Sequence, residues 1–243
     1  MKRFLLLILV LSPRFVVAQE SDAFTKANQE YAAGRFREAI DLYENVVREG
    51  GTSAAVVYDL GNAYYRAGDL GAAILNYERA LALEPHHPEA EANLRLVRDK
   101  ARALELKRNG FEQVVSRLSV TQYTVTAAVC FWIAAFAVAA LFFARRRSPG
   151  LVALFVFSLL VFWAAVYGVY AVESGSSGRA LAIVTAKGTE ARLATADNAG
   201  TVLALPPGSE IKILSTRGDW TYAFLPNDLR GWIPAKNAER VRL

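Results

Sequence analysis

The chain is 243 residues long, 53% apolar and 21% charged, with a formal charge of +5 at neutral pH. That apolar share is high for one soluble domain and low for a polytopic membrane protein, so a mosaic of the two is expected. The charge is +3 over residues 1–18, −3 over 19–110, +3 over 145–150 and +3 over 174–243, so no folded stretch offers the basic stripe a nucleic-acid partner requires, and Cys130, the single cysteine, excludes an intramolecular disulfide and a cysteine metal cluster.

Lys2 and Arg3 precede eight apolar residues from Phe4 to Leu11, and Val16-Val17-Ala18 then offers a small-residue cleavage site before Gln19. The pattern predicts a signal peptide over 1–18. As a helix those eight residues would reach about 12 Å against about 30 Å of hydrocarbon, too short for a span.

Residues 20–53 laid over 54–87 coincide at Asn28/Asn62, Tyr31/Tyr65, Ala33/Ala67, Gly34/Gly68, Ala39/Ala73, Ile40/Ile74, Tyr43/Tyr77 and Glu44/Glu78. A period of 34, with small residues where helices approach and Gly at the turn, predicts a helix-turn-helix solenoid. Leu60-Gly61-Asn62-Ala63-Tyr64-Tyr65, continuing through Gly68, Ala73, Tyr77, Ala80 and Pro85, resembles the tetratricopeptide repeat (TPR) family. The first repeat is placed at 19–53 and the second at 54–87. A capping helix is expected over 88–110, opened by Pro88, with Leu94, Val97, Ala101 and Leu104 on one face and Lys107, Arg108 and Gly110 at its end.

Arrays of this kind hold peptides or helices in the concave face built from the first helix of each pair. Phe24, Asn28 and Tyr31 recur as Tyr58, Asn62 and Tyr65, a 4-then-3 spacing that lays each trio along one stripe. Amides could bond a peptide backbone while the rings cover its side chains, or the aromatics could simply pack the repeat. TPR co-chaperones use Lys and Arg in this groove to hold a C-terminal carboxylate. The matching positions here are Phe24, Asp59, Glu89 and Asn93, so the resemblance implies no acidic-tail ligand. His86-His87 lacks the carboxylate spacing of a metal site and reads as a solvent-facing turn; no metal and no cofactor is expected.

An amphipathic linker (111–124) leads into two uncharged apolar stretches, 125–143 and 151–172, of about 28 and 33 Å as helices. Arg145-Arg146-Arg147 lies between them, in a loop (144–150) that the positive-inside rule keeps in the cytoplasm, with both flanks outside. A Ser/Gly tether (173–179) follows, and over 180–243 the period changes to two. Strands are expected at Leu181–Thr185, Thr201–Leu205, Glu210–Leu214, Trp220–Leu225 and Arg230–Ile233, which predicts a small barrel. Gly218-Asp219-Trp220 and Gly231-Trp232-Ile233-Pro234 resemble the bacterial SH3-like (SH3b) family, with Leu193-Ala194-Thr195-Ala196 departing from its usual pattern. Trp220, Tyr222 and Trp232 either line a ligand groove or fill the barrel core.

The expected fold is therefore multi-domain: an all-α TPR solenoid, a two-helix transmembrane hairpin and a small all-β SH3-like barrel. This order resembles the BatE-type proteins of the Bacteroides aerotolerance family. That resemblance implies a non-enzymatic inner-membrane scaffold with both folded parts in the periplasm, binding protein partners such as the von Willebrand A-domain membrane proteins of the same family in an aerotolerance or envelope-stress complex. The alternative is a tether whose barrel binds peptidoglycan. An enzyme is disfavoured because the two His are adjacent, the sole Cys falls within a span, and no phosphate loop or dithiol is present.

Overall fold

The computed structural model describes residues 22–108, 110–115, 117–143, 148–174 and 178–242. The expected signal peptide, the arginines of the basic loop and the centre of the tether, Gly175 to Ser177, lie outside them.

Five helices form the N-terminal part: α1 (Asp22–Ala32), α2 (Phe36–Arg48), α3 (Ala54–Ala67), α4 (Leu70–Leu83) and α5 (Pro88–Ala101). Gly34 and Gly68 take φ of 77° and 85° between the helices of each pair, a left-handed turn that a Cβ would oppose. Ser53, Asp69 and His87 cap α3, α4 and α5 by accepting the N–H of Val56, Ala72 and Ala90. His87 is thus a half-buried cap, not the solvent-facing residue expected, whereas His86 is exposed. Ala27, Ala39, Tyr43, Leu60 and Ala63 fill a core that α1 and α2 share with α3, and Gly61 lies so close to Tyr77 that a Cβ would meet the ring at 2.9 Å.

The capping helix, α5, is shorter than its sequence promises. It stops at Ala101, with Arg102 left-handed at φ 52° as its cap, rather than running to 110. Residues 103–108 instead lie along the C-terminal sheet: Leu104 donates its N–H to Ser209 Oγ (3.1 Å), its carbonyl accepts the Glu210 N–H (2.8 Å), and Leu106 N–H donates to Glu210 Oε2 (3.0 Å). Leu104 and Leu106 pack against the sheet, which outweighs the last turn of a helix.

The C-terminal part is one antiparallel sheet of seven strands: β1 (Leu181–Val184), β2 (Thr189–Arg192), β3 (Thr201–Leu205), β4 (Glu210–Arg217), β5 (Trp220–Phe224), β6 (Arg230–Pro234) and β7 (Ala238–Arg240). Their order is β3-β2-β6-β5-β4-β1-β7, and the ladder stays open between β3 and β7 rather than closing as a barrel. Ala182, Val184, Ala191, Leu205, Ile211, Ala223, Leu225 and Ile233 nevertheless share one core. Two strands escaped the sequence pattern. β2 (Thr-Glu-Ala-Arg) turns only Thr189 and Ala191 inward, and β7 is a three-residue edge that exists by pairing with β1.

β1 joins the two parts. All four of its residues are buried, the mark of a strand covered on both faces. Ala182 and Val184 point into the sheet core, while Leu181 and Ile183 join Ala73, Ile74, Leu75, Tyr77, Leu94, Val97, Leu106 and Val241 in a core shared with α4 and α5. Close approach depends on glycine. A Cβ on Gly71 of α4 would meet the Thr185 carbonyl oxygen at 2.6 Å, and one on Gly208, held at φ 90°, would meet Ile74 at 2.1 Å.

A short α6 (Gly110–Val115) precedes α7 (Val120–Phe143) and α8 (Pro149–Ser174), which pair as a hairpin. Both are long and apolar enough to cross a membrane, with mean hydropathy 2.4. Ala134, Ala137, Ser158, Ala165 and Gly168 are buried, so small residues form the seam, and Tyr123 lies over Gly168 where a Cβ would come within 2.4 Å of its ring. Outward lie Phe136, Phe142, Phe157, Leu160, Trp163 and Tyr170, each more than half exposed, which in water would be costly and in lipid is the expected face. α7 begins at Val120, within the stretch expected to be linker.

Candidate functional site: the repeat groove and the sheet face

The two repeats solve the same problem with the same bond. Tyr43 of α2 donates its hydroxyl proton to Asn28 Oδ1 of α1 (2.6 Å), and Tyr77 of α4 donates to Asn62 Oδ1 of α3 (2.8 Å). Burial pushes both tyrosine hydroxyls well above their ordinary pKa, so they remain protonated donors at any physiological pH. The paired Asn and Tyr of the 34-residue period therefore pin the first helix of each pair to the second.

This geometry divides the expected groove residues. Phe24 is buried, its ring 5.9 Å from that of Tyr43, so it packs α1 onto α2 instead of lining a surface, because its ring joins the core that α1 and α2 share with α3. Asn28 and Asn62 spend their carbonyl oxygens inside the repeat. Tyr31 stands edge-on to Phe36 at 5.5 Å and is half-buried. Tyr58, Asp59, Asn62 and Tyr65 of α3 come together with α5: Asn93 Nδ2 donates to the Tyr58 hydroxyl (3.2 Å) and to Asn62 Oδ1 (3.1 Å), and Lys100 sits 4.8 Å from the centre of the Tyr65 ring. Tyr58 also packs on the His87 ring, with centroids 4.8 Å apart.

The groove floor is thus an aromatic and amide surface with one acid and one base. Burial raises the pKa of Asp59, partly offset by the Asn62 amide that bonds it and by the nearby His87. Sequence reasoning missed the contributions of Lys100 and His87. A cation seven residues after Asn93 lies on the same helical stripe, and that spacing was the available signal.

In the sheet, Trp220, Tyr222 and Trp232 alternate with the inward Thr221, Ala223, Gly231 and Ile233, so they occupy the face opposite the core rather than the core itself. Tyr222 and Trp232 are cross-strand partners with ring centroids 5.0 Å apart, and Arg192 pairs in register with Trp232 on the other side. Trp220 stands apart, lining a recess with Asp197, Asp219, Pro234, Ala235 and Lys236.

Between the parts lies a buried charge network. Arg98 of α5 pairs with Glu78 of α4 and Glu210 of β4, Arg108 reaches Glu210 at 3.2 Å, and Glu105 lies 3.5 Å from Arg98. Burial raises the pKa of Glu78, opposed by the Arg98 charge. Glu210 accepts from two guanidinium groups and one backbone N–H, so its carboxylate is satisfied although the residue is only 1% exposed.

The tetratricopeptide repeat family matches residues 24–88 and again 58–98. The N-terminal helices are tetratricopeptide repeats. The match covers α1 to most of α5 and stops before the hairpin and the sheet. No curated protein matches the chain. Repeats of this class are interaction scaffolds, and two helices beside them are long and apolar enough to cross a membrane.

Proposed function

We propose that the protein is a non-enzymatic membrane adaptor that holds an extended segment of a protein partner in the groove of its repeats. The supporting observation is the joint surface of α3 and α5, where Tyr58, Asp59, Tyr65, Asn93 and Lys100 converge on a part fixed to a hairpin of apolar helices. The aromatic faces supply apolar contact, while Asp59 and Lys100 fix direction and register of a bound backbone. In the cell the groove and the sheet face the periplasm from the inner membrane. The partners are membrane proteins of the von Willebrand A-domain kind, in an envelope-stress complex of the BatE type.

The test is in-cell crosslinking and purification of the whole protein beside Tyr65→Ser/Lys100→Glu. Tyr65 is half-buried and Lys100 exposed on the groove surface, and neither takes part in the Asn62–Tyr77 bond. Loss of a co-purifying membrane protein in the variant is expected, with the thermal transition lowered by the lost Tyr65 packing but still cooperative; undiminished capture would sink the groove assignment. A periplasm-only reporter fused after Leu243 should be active if both ends lie outside.

A second reading has its own observation. The half-buried Tyr222–Trp232 pair, on the face of the sheet opposite the core and beside Arg192, offers an aromatic surface next to a cation, suited to a cell-wall peptide or sugar. If the sheet tethers peptidoglycan, the protein should sediment with purified sacculi and Trp232→Ala should release it.

A further inference from the structure

At the foot of the hairpin, where the repeats, α7, α8 and the sheet meet, lies a cavity of about 300 Å³. Four arginines line it, Arg98, Arg108, Arg117 and Arg242, beside the apolar Leu118, Val172, Leu181 and Val241. Its carboxylates are already committed: Glu78 to Arg98, and Glu91 to Arg95 at 3.4 Å. Glu173, the nearest acid acting on Arg242, is held by Arg179 at 2.8 Å. Among the described residues neither Arg117 nor Arg242 forms an ion pair. Arg117 and Arg242 are therefore the two guanidinium groups of the wall that no described carboxylate pairs.

Two donors there are also unsatisfied. Arg98 and Arg242 each keep a buried Nε–H without a hydrogen-bond partner among the described residues, an arrangement that costs free energy. The same cavity meets the first turn of α7. Ser119 accepts the Gln122 N–H (3.2 Å) and Gln122 accepts the Ser119 N–H (2.9 Å), which fixes the positive end of a 24-residue helix beside the arginines. Leu118 lies two residues before the start of α7, and Val172 two residues before the end of α8, so the cavity stands at the level where both apolar helices leave hydrocarbon.

Guanidinium forks, a helix N-terminus and an apolar floor at bilayer-surface height are the complement of a phosphodiester bearing acyl chains. We propose that this cavity binds the headgroup phosphate of an anionic phospholipid, seating the repeats and the sheet on the membrane surface. The proposal rests on the reading of α7 and α8 as membrane spans. Arg117 and Arg242 hold the phosphate oxygens, Arg98 and Arg108, already paired with Glu78, Glu105 and Glu210, fix the wall behind them, and Leu118 and Val172 meet the glycerol and upper acyl chain.

The whole protein in mild detergent is titrated with phosphatidylglycerol, with diacylglycerol of the same chains and with inorganic phosphate, and bound molecules are counted by native mass spectrometry. One phosphatidylglycerol should bind at least tenfold tighter than diacylglycerol. Arg117→Gln/Arg242→Gln should weaken it about tenfold, and Arg117→Lys should retain most of it. Should the double variant unfold, the exposed Arg117→Gln alone carries the test. Equal binding of diacylglycerol, or no change on substitution, would overturn the site; displacement of the lipid by millimolar inorganic phosphate would assign the cavity to a soluble phosphate and overturn the lipid. Alkaline carbonate extraction of cell membranes separates the premise: release would overturn the spans and the site with them, whereas a retained protein that binds no phosphatidylglycerol overturns the site alone.

Discussion

Asn62 does two jobs that its place in the sequence does not distinguish. Its carbonyl oxygen takes protons from Tyr77 and Asn93, joining α3 to α4 and to α5, while its stripe also carries Tyr58 and Tyr65 toward the groove. Replacing it with Ala leaves the Tyr77 hydroxyl buried without an acceptor. Asn62→Ala is therefore expected to cost about 2 kcal/mol, at the upper side of a lost buried partner, and Tyr77→Phe less, about 1 kcal/mol. Asn28→Ala should cost less than Asn62→Ala, because Asn28 has no counterpart of Asn93. Denaturant titration of the four proteins checks the order; an Asn62→Ala no worse than Tyr77→Phe would show that the second bond contributes nothing. At this scale the recurrence of Asn and Tyr at a period of 34 was legible, but the burial of Phe24 was not, since a stripe fixes direction on a helix and not what lies beyond it.

Helix α4 carries two requirements that conflict. Gly71 weakens the helix, and Ala there would favour it by about 1 kcal/mol in isolation. In the folded chain a Cβ would press on the Thr185 backbone at 2.6 Å, and backbone cannot swing aside as a side chain can. Gly71→Ala is thus expected to destabilise the whole protein by about 1–3 kcal/mol despite its helix propensity. A raised melting temperature would mean that α4 and β1 separate freely. The same logic explains why element boundaries departed from expectation. α5 ended early because Leu104 and Leu106 gain the sheet, and β2 and β7 were invisible because their residues carry no alternating apolar signal of their own.

Taken whole, the repeats and the sheet share one core. Two repeats and a cap have little core by themselves, and the sheet supplies the missing neighbour through Leu181 and Ile183, sealed by the Arg98–Glu78–Glu210 network. Removing one member of a buried ion cluster strands the others, so Glu210→Ala is expected to cost about 3–5 kcal/mol. Calorimetry of the whole protein should show the repeats and sheet melting in a single transition, and the variant should lower that transition as a unit. Two separated transitions in the native protein would refute the shared core.

The sequence alone determined the helical period, the two apolar spans and the change to strand-like alternation, because each is written in local spacing: 34 residues per helix pair, long uncharged runs, and a period of two. Only the tertiary structure decided what those elements touch. It turned Trp220, Tyr222 and Trp232 outward, left the sheet open, placed Leu181 and Ile183 against the repeats, and gathered Arg98, Arg117 and Arg242 around one cavity. The reason is physical. Periodicity reports which side of an element is apolar, whereas the partner for that side is chosen by contacts between residues more than a hundred positions apart, and no local pattern encodes them.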